Sequence, residues 1–301
     1  MSNEVKNVYE SVPKKFLRQY HNPHVDEHQI KVPFRMCVIG SSGSMKTATT
    51  LFLLSKMRNT FNHVFIYTRD KSEPLYEYLE DQLSADVLTI REGIGELPSL
   101  QKNKDGKIKD FDDPKSQYLL VFDDLVLERD QSRITEYFIR GRKVARGISL
   151  MYLSQSYYKI PKTIRLQCGY MLLKKLASTR DLQMILGESS LGVKKETLLE
   201  MYKYCTRRKE DFLLLDLDAE PERRFKHNLL EVLDAESFEN HGGPNPSMVR
   251  KSHEVDSKGP QLAGASHAAV AAPDDDSGDH QLTTDSALLG KFRVKKHVYE
   301  N

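Results

Sequence analysis

The chain has 301 residues, 39% of them hydrophobic, and its 45 Lys and Arg against 43 Asp and Glu leave a formal charge of +2. That balance excludes a histone-like polybasic chain, no apolar run approaches the ~18 residues that span a bilayer, and the polar start MSNEVKNVYESVPKK lacks the apolar stretch of a secretion signal. Cys37, Cys168 and Cys205 are odd in number and widely spaced, so they read as buried free thiols of a reducing compartment rather than a disulfide framework or metal knuckle.

Residues 1–30 are polar and read as an N-terminal surface arm. His21, His24 and His28 fall in it, but no Cys or well-placed acid completes a metal-ligand set. From 31 to 235 short apolar runs alternate with longer segments. FRMCVIG (34–40) predicts a strand and 47–57 a helix. HVFIYT (63–68), DVLTI (86–90), YLLVFDD (118–124), ISLMYLSQ (148–155), YMLLKK (170–175) and FLLLDLD (212–218) predict further strands. Helices are expected at 130–140, 179–186 and 195–205, and a polar, mobile loop at 99–116. The strands are continuously apolar rather than alternating, which indicates a mostly parallel sheet covered on both faces. Strand–helix alternation makes this one α/β domain with a central sheet flanked by helices.

From residue 236 onward the composition changes. Seven basic and ten acidic residues give this part a net charge of −3, and no aromatic residue occurs between Phe238 and Phe292. Such a segment buries too little apolar surface to offset the entropy of ordering it, so 236–301 reads as a disordered tail with a short basic, aromatic end, GKFRVKKHVYEN.

The stretch VIGSSGSMKTATTLFLL (38–54) carries the most chemistry. A strand runs into Gly40, Ser41, Ser42, Gly43, Ser44 and Met45, and a helix then opens with Lys46 and Thr47. Small residues let backbone N–H groups converge on phosphate oxygens, and the helix start adds partial positive charge. In a P-loop, the Lys46 ammonium would reach the β- and γ-phosphates of ATP and the Thr47 hydroxyl would hold Mg²⁺. Met45 stands where the motif usually has its second glycine. It is expected to open the helix with right-handed φ, which admits a side chain.

YLLVFDD places Asp123 and Asp124 at the carboxyl end of a strand, the edge where open parallel sheets bind ligands. Asp123 would hold the Mg²⁺, and Asp124 would act as base toward the attacking water. Gln155 ends another strand and fits a residue that positions that water. Residues 140–180 hold ten basic residues and no acid. Arg140, Arg142 and Arg146 fit an arginine finger given to a neighbouring subunit's γ-phosphate. Lys159, Lys162 and Arg165, interleaved with Tyr157 and Tyr158, fit DNA backbone contact.

VIGSSGSMKT, YLLVFDD and especially RGRKVARGISLMYLSQSYYKIPKTIR (140–165) resemble the genome-packaging ATPases of poxviruses, other large DNA viruses, virophages and Polinton-type elements, a branch of the FtsK–HerA superfamily. The resemblance covers about residues 31–218. It implies a RecA-like P-loop NTPase with the Gln155 strand lying between the P-loop strand and the Asp123 strand. It further implies a ring of six subunits with ATP between neighbours and double-stranded DNA in the channel. Arg142 or Arg146 would be the trans-acting finger. The expected function is ATP-driven, sequence-independent packaging of a viral genome, with a capsid or portal-vertex partner, at assembly sites in host cytoplasm or nucleus and in the virion. A helicase-like or DNA-segregating motor and a nucleotide-gated scaffold with weak turnover are the alternatives.

Overall fold

The computed structural model describes residues 7–111 and 113–241. In chain order the elements are α1 (Val25–His28), β1 (Arg35–Ile39), α2 (Lys46–Lys56), β2 (His63–Thr68), α3 (Pro74–Gln82), β3 (Leu88–Glu92), β4 (Tyr118–Asp123), α4 (Ser132–Arg140), β5 (Ile148–Ser154), α5 (Lys162–Arg165), β6 (Tyr170–Leu173), α6 (Thr179–Glu188), α7 (Lys195–Cys205), β7 (Leu213–Asp216), β8 (Phe225–His227), β9 (Glu231–Val232) and α8 (Ala235–His241). Among the described residues nine strands make one sheet in the order β3-β2-β4-β5-β1-β6-β7-β8-β9. The run from β3 to β6 is parallel, and β7, β8 and β9 extend it antiparallel. β5 lies between β1 and β4, the order implied by the resemblance.

The side-chain alternation of each strand feeds two cores. Met36 and Val38 of β1, with Leu119, Val121, Met151 and Leu153, pack under Leu51, Leu53 and Leu54 of α2 and Tyr76 and Leu79 of α3. Cys37 and Ile39, with Leu120, Phe122, Leu150 and Tyr152, face Ile134, Tyr137 and Phe138 of α4, and α6 and α7 continue that layer. All seven residues of β5 are buried, which is why its sequence reads as an unbroken apolar run. The three cysteines are free and buried.

Three expectations need correction. From Arg18 onward the N-terminal arm is part of the body. The Arg18 guanidinium donates to the carbonyls of Arg142 and Lys143, Asn22 donates to Ile30 O, and the main-chain N–H of Lys31 donates to the Tyr170 hydroxyl. His28 is fully buried rather than on the surface, because its two ring nitrogens are taken by Asn22 Oδ1 and the Ile30 N–H. The boundary at 235 also falls inside the fold: α8 continues to His241 and buries Phe238 in the core under β8 and α7. The aromatic-free acidic stretch and the basic end lie outside the described residues.

The 99–116 loop is tied down at both ends. Leu100, Ile108 and Phe111 are buried, with Phe111 against Tyr118 and Tyr137, while 101–107 and 113–115 are exposed. Among the described residues no helix is long and apolar enough to cross a membrane.

Candidate functional site

The loop from Gly40 to Met45 hangs between the ends of β5 and β6. The Gly40 N–H donates to Ser154 O at 3.1 Å and the Ser41 N–H to Lys175 O at 2.8 Å. A Cβ on Gly40 would lie 2.6 Å from Lys174 Cβ and nearer still to the Ser44 hydroxyl, so only glycine fits. Gly43 has φ +68°.

Met45 has φ 65° and ψ 35°, in the left-handed region, and this overturns the expectation of right-handed φ there. The chain must reverse its twist between the loop and the first turn of α2. Glycine does this without strain; methionine carries about 1–2 kcal/mol of it.

Inside the curve, Lys46 Nζ donates to the carbonyls of Gly40 at 2.9 Å and Ser41 at 3.1 Å. Burial holds the Lys46 ammonium below its ordinary pKa, against the pull of Asp123 and Asp124. The Ser44 hydroxyl is buried with no hydrogen-bond partner. A desolvated ammonium resting on neutral carbonyls, an orphaned hydroxyl and the unpaired N–H groups of a helix start together fit a multiply charged phosphate chain.

β4 brings the acids to the same edge. Asp123 Oδ2 accepts from the Tyr76 hydroxyl at 2.6 Å and from the Thr47 hydroxyl at 3.5 Å. Asp123 is only 8% exposed, and burial raises its pKa although Tyr76, Lys46 and Thr47 all oppose that shift. A penalised carboxylate beside a helix-start hydroxyl fits a hydrated divalent cation, with Thr47 and Asp123 as the residues that would hold Mg²⁺. Asp124 follows in left-handed conformation (φ 54°) and accepts from Gln155 Nε2 at 3.2 Å. Gly40 to Thr47, Asp123, Asp124 and Gln155 therefore meet at one sheet edge.

Arg142 and Arg146 do not join them. They precede β5, whose far end carries Gln155, so the strand's seven residues put roughly 20 Å between them and their own chain's loop. Arg140 is engaged by Glu136. The basic run is thus split by the fold. Arg165 is buried in it, donating to both carboxylate oxygens of Glu188 at 2.9 and 2.6 Å and to three main-chain carbonyls. Its guanidinium lies 4.8 Å above the Tyr157 ring, and the Tyr157 hydroxyl also donates to Glu188. Arg165 and Tyr157 are therefore internal bracing and not backbone-contacting groups. Tyr158 (56% exposed, under the Arg180 guanidinium at 4.4 Å), Lys159 and Lys162 remain outward.

Two residues at the site escaped the sequence reading. Lys174 is fully buried beside Gly40, donates to Glu210 O at 2.6 Å, and is held down to about 8 by burial. Tyr76 comes from α3, whose sequence signal was present: Pro74 at the first position followed by Leu75, Tyr76, Leu79 and Leu83 at helical spacing.

The family described as Poxvirus A32 protein matches residues 24–215. The DNA packaging protein OPG160 of Variola virus is 24% identical over 159 residues, 49% of this chain and 52% of that protein. Its counterpart in Vaccinia virus (strain Copenhagen) is 24% identical over 146 residues, 45% of this chain and 50% of that one. The chain thus spans about half the length of the curated relatives it matches. Among solved structures, the genome packaging NTPase B204 of Sulfolobus turreted icosahedral virus 2 in complex with ATP-gammaS is similar at 14% identity and a TM-score of 0.43, covering 66% of this chain and 98% of that one.

Proposed function

The chain belongs to the Poxvirus A32 protein family, and on that premise we propose that it is an ATPase whose hydrolysis cycle drives double-stranded DNA into a viral capsid. The observation that carries the reading is the meeting of Lys46, Thr47, Asp123, Asp124 and Gln155 at one edge of a mostly parallel sheet. A bound magnesium ion would supply charge neutralisation at the phosphates.

The rest falls to the chain itself. The loop N–H groups and Lys46 bind the triphosphate, with Lys46 exchanging two neutral carbonyls for anionic oxygens. Thr47 and Asp123 would hold the metal. Asp124 accepts a proton from the attacking water, and the Gln155 amide, bonded to that carboxylate, orients the water between them. Asp is one methylene shorter than Glu, so this base acts only on a water held close by Gln155.

The cationic residues at the opposite edge belong to a neighbouring copy's site in this reading. Arg142 or Arg146 would enter the next subunit's phosphate pocket, which makes the working unit a ring, taken here as six. Tyr158, Lys159, Lys162 and Arg180 would follow the DNA backbone without reading sequence. The partner beyond DNA would be a capsid or portal-vertex protein, at assembly sites in the host cell.

The test is Lys46→Ala in the purified full chain. It should abolish ATP hydrolysis, including any stimulation by DNA, while leaving the circular dichroism spectrum and melting profile of the wild type. Hydrolysis at the wild-type rate would sink the assignment of the loop.

A further inference from the structure

α3 is not part of the phosphate loop, of the strand that carries the acids, or of the strand that carries Gln155. It nevertheless delivers a side chain to the metal-holding carboxylate. The Tyr76 ring is 1% exposed and lies in the core with Ile66, Leu79, Leu88, Ile90 and Val121, so its position is set by packing on every side. Only its oxygen emerges at the carboxyl edge. There it donates to Asp123 Oδ2 at 2.6 Å, far shorter than the 3.5 Å from the Thr47 hydroxyl to the same oxygen. Among the described residues no hydrogen bond reaches Asp123 Oδ1.

A short aspartate can lose a cation site by rotation of its carboxylate. The Tyr76 hydroxyl opposes this by one bond: it holds Oδ2 at 2.6 Å from a ring that the core fixes in place. Outer partners that fix a ligating carboxylate in this way commonly set metal affinity.

We propose that Tyr76 is a positioning residue for the magnesium site, fixing the Asp123 carboxylate from the α3 side so that a metal–nucleotide complex is bound in preference to free nucleotide. This inference rests on the nucleotide reading above. It adds a structural consequence: α3 and the loop before it are tied to the metal site, since Arg69 N also donates to the Asp123 carbonyl.

The test uses the purified full chain and a fluorescent, non-hydrolysable ATP analogue, titrated in EDTA and then at rising MgCl₂. Tyr76→Phe keeps the ring and its packing and removes only the oxygen. It should bind the analogue in EDTA as the wild type does, melt within a few degrees of it, and need about ten- to a hundredfold more Mg²⁺ for half-maximal effect. Asp123→Asn should remove most of the magnesium dependence, and adding Tyr76→Phe to it should change nothing further.

A Tyr76→Phe curve that overlays the wild type in Mg²⁺ overturns the inference. So does an equal loss of affinity in EDTA and in Mg²⁺, which would mark a packing role, and so does an undiminished effect in the Asp123→Asn background. These outcomes leave nucleotide binding itself intact. A wild-type chain that binds the analogue under neither condition sinks the nucleotide reading instead.

Discussion

At the carboxyl edge of the sheet, cations and acids face one another. Lys46 sits within the field of Asp123 and Asp124, Asp123 is bonded to Tyr76 and Thr47, and Asp124 to Gln155. At the amino edge the balance is cationic. Arg18 grips the carbonyls of Arg142 and Lys143, and Arg35 is pushed below its ordinary range by burial and then by Arg142. Asp113 lies close enough to Arg146 for that guanidinium to favour its charged form. The carboxyl edge can assemble a binding site from one chain. The amino edge presents Arg142 and Lys143 outward with their main chain clamped in place, and in the proposed ring that charge would meet the anionic site of a neighbouring subunit.

The largest effect should come from the amino edge if the two edges meet across a subunit boundary. Arg142→Ala or Arg146→Ala should then lower DNA-stimulated hydrolysis by about 10³–10⁵ while nucleotide affinity stays at the wild-type value. Mixing the inactive arginine variant with Lys46→Ala subunits should restore part of the rate, because each supplies the half-site that the other lacks. Measured turnover in such mixtures decides the matter. If both arginine variants hydrolyse like the wild type, the amino edge serves something other than the phosphate site.

How much of this was readable beforehand differs between the edges for a physical reason. Gly40, Asp123 and Gln155 were legible because each ends or follows its own apolar strand, and Lys46 because it opens the helix after the β1 loop; parallel strands bring their carboxyl ends together. The left-handed Met45 escaped the sequence reading although the motif's usual glycine at that position marks it, because a methionine side chain favours right-handed φ. Arg165 looked like one more cation in a basic run. Its acid, Glu188, lies 23 residues away, at the end of α6. β8 and β9, with three and two residues, are too short to show a period.

A smaller effect should separate the edges by pH. His28 packs the arm against the amino edge, with Nδ1 accepting from the Ile30 N–H and Nε2 therefore donating to Asn22 Oδ1. A second proton would have to sit on Nδ1, against that N–H. Burial lowers the pKa to about 4, from an ordinary 6.5. The unfolded chain thus takes up a proton first as the pH falls. The stabilisation is complete above pH 6.5 and is lost progressively toward pH 4. The urea midpoint should fall across that window, and it should fall less steeply in His28→Gln, which keeps an acceptor and a donor but cannot titrate there. Parallel curves for the two proteins would remove His28 from the account.

The smallest effect concerns the strain at the carboxyl edge. Met45→Gly removes about 1–2 kcal/mol of left-handed strain but frees the unfolded chain by roughly 0.5–1 kcal/mol. Met45 is 36% exposed, so the substitution also gives up some apolar contact. The terms nearly cancel, and the melting temperature should rise by no more than a few degrees. Met45→Ala separates them, because it keeps the strain and loses the side chain. An alanine variant less stable than both methionine and glycine locates the methionine's contribution in packing and the glycine's in backbone freedom. If glycine is instead the least stable of the three, Met45 earns its place through contacts that outweigh its conformation, and the loop at this edge is held by its side chain as much as by its main chain.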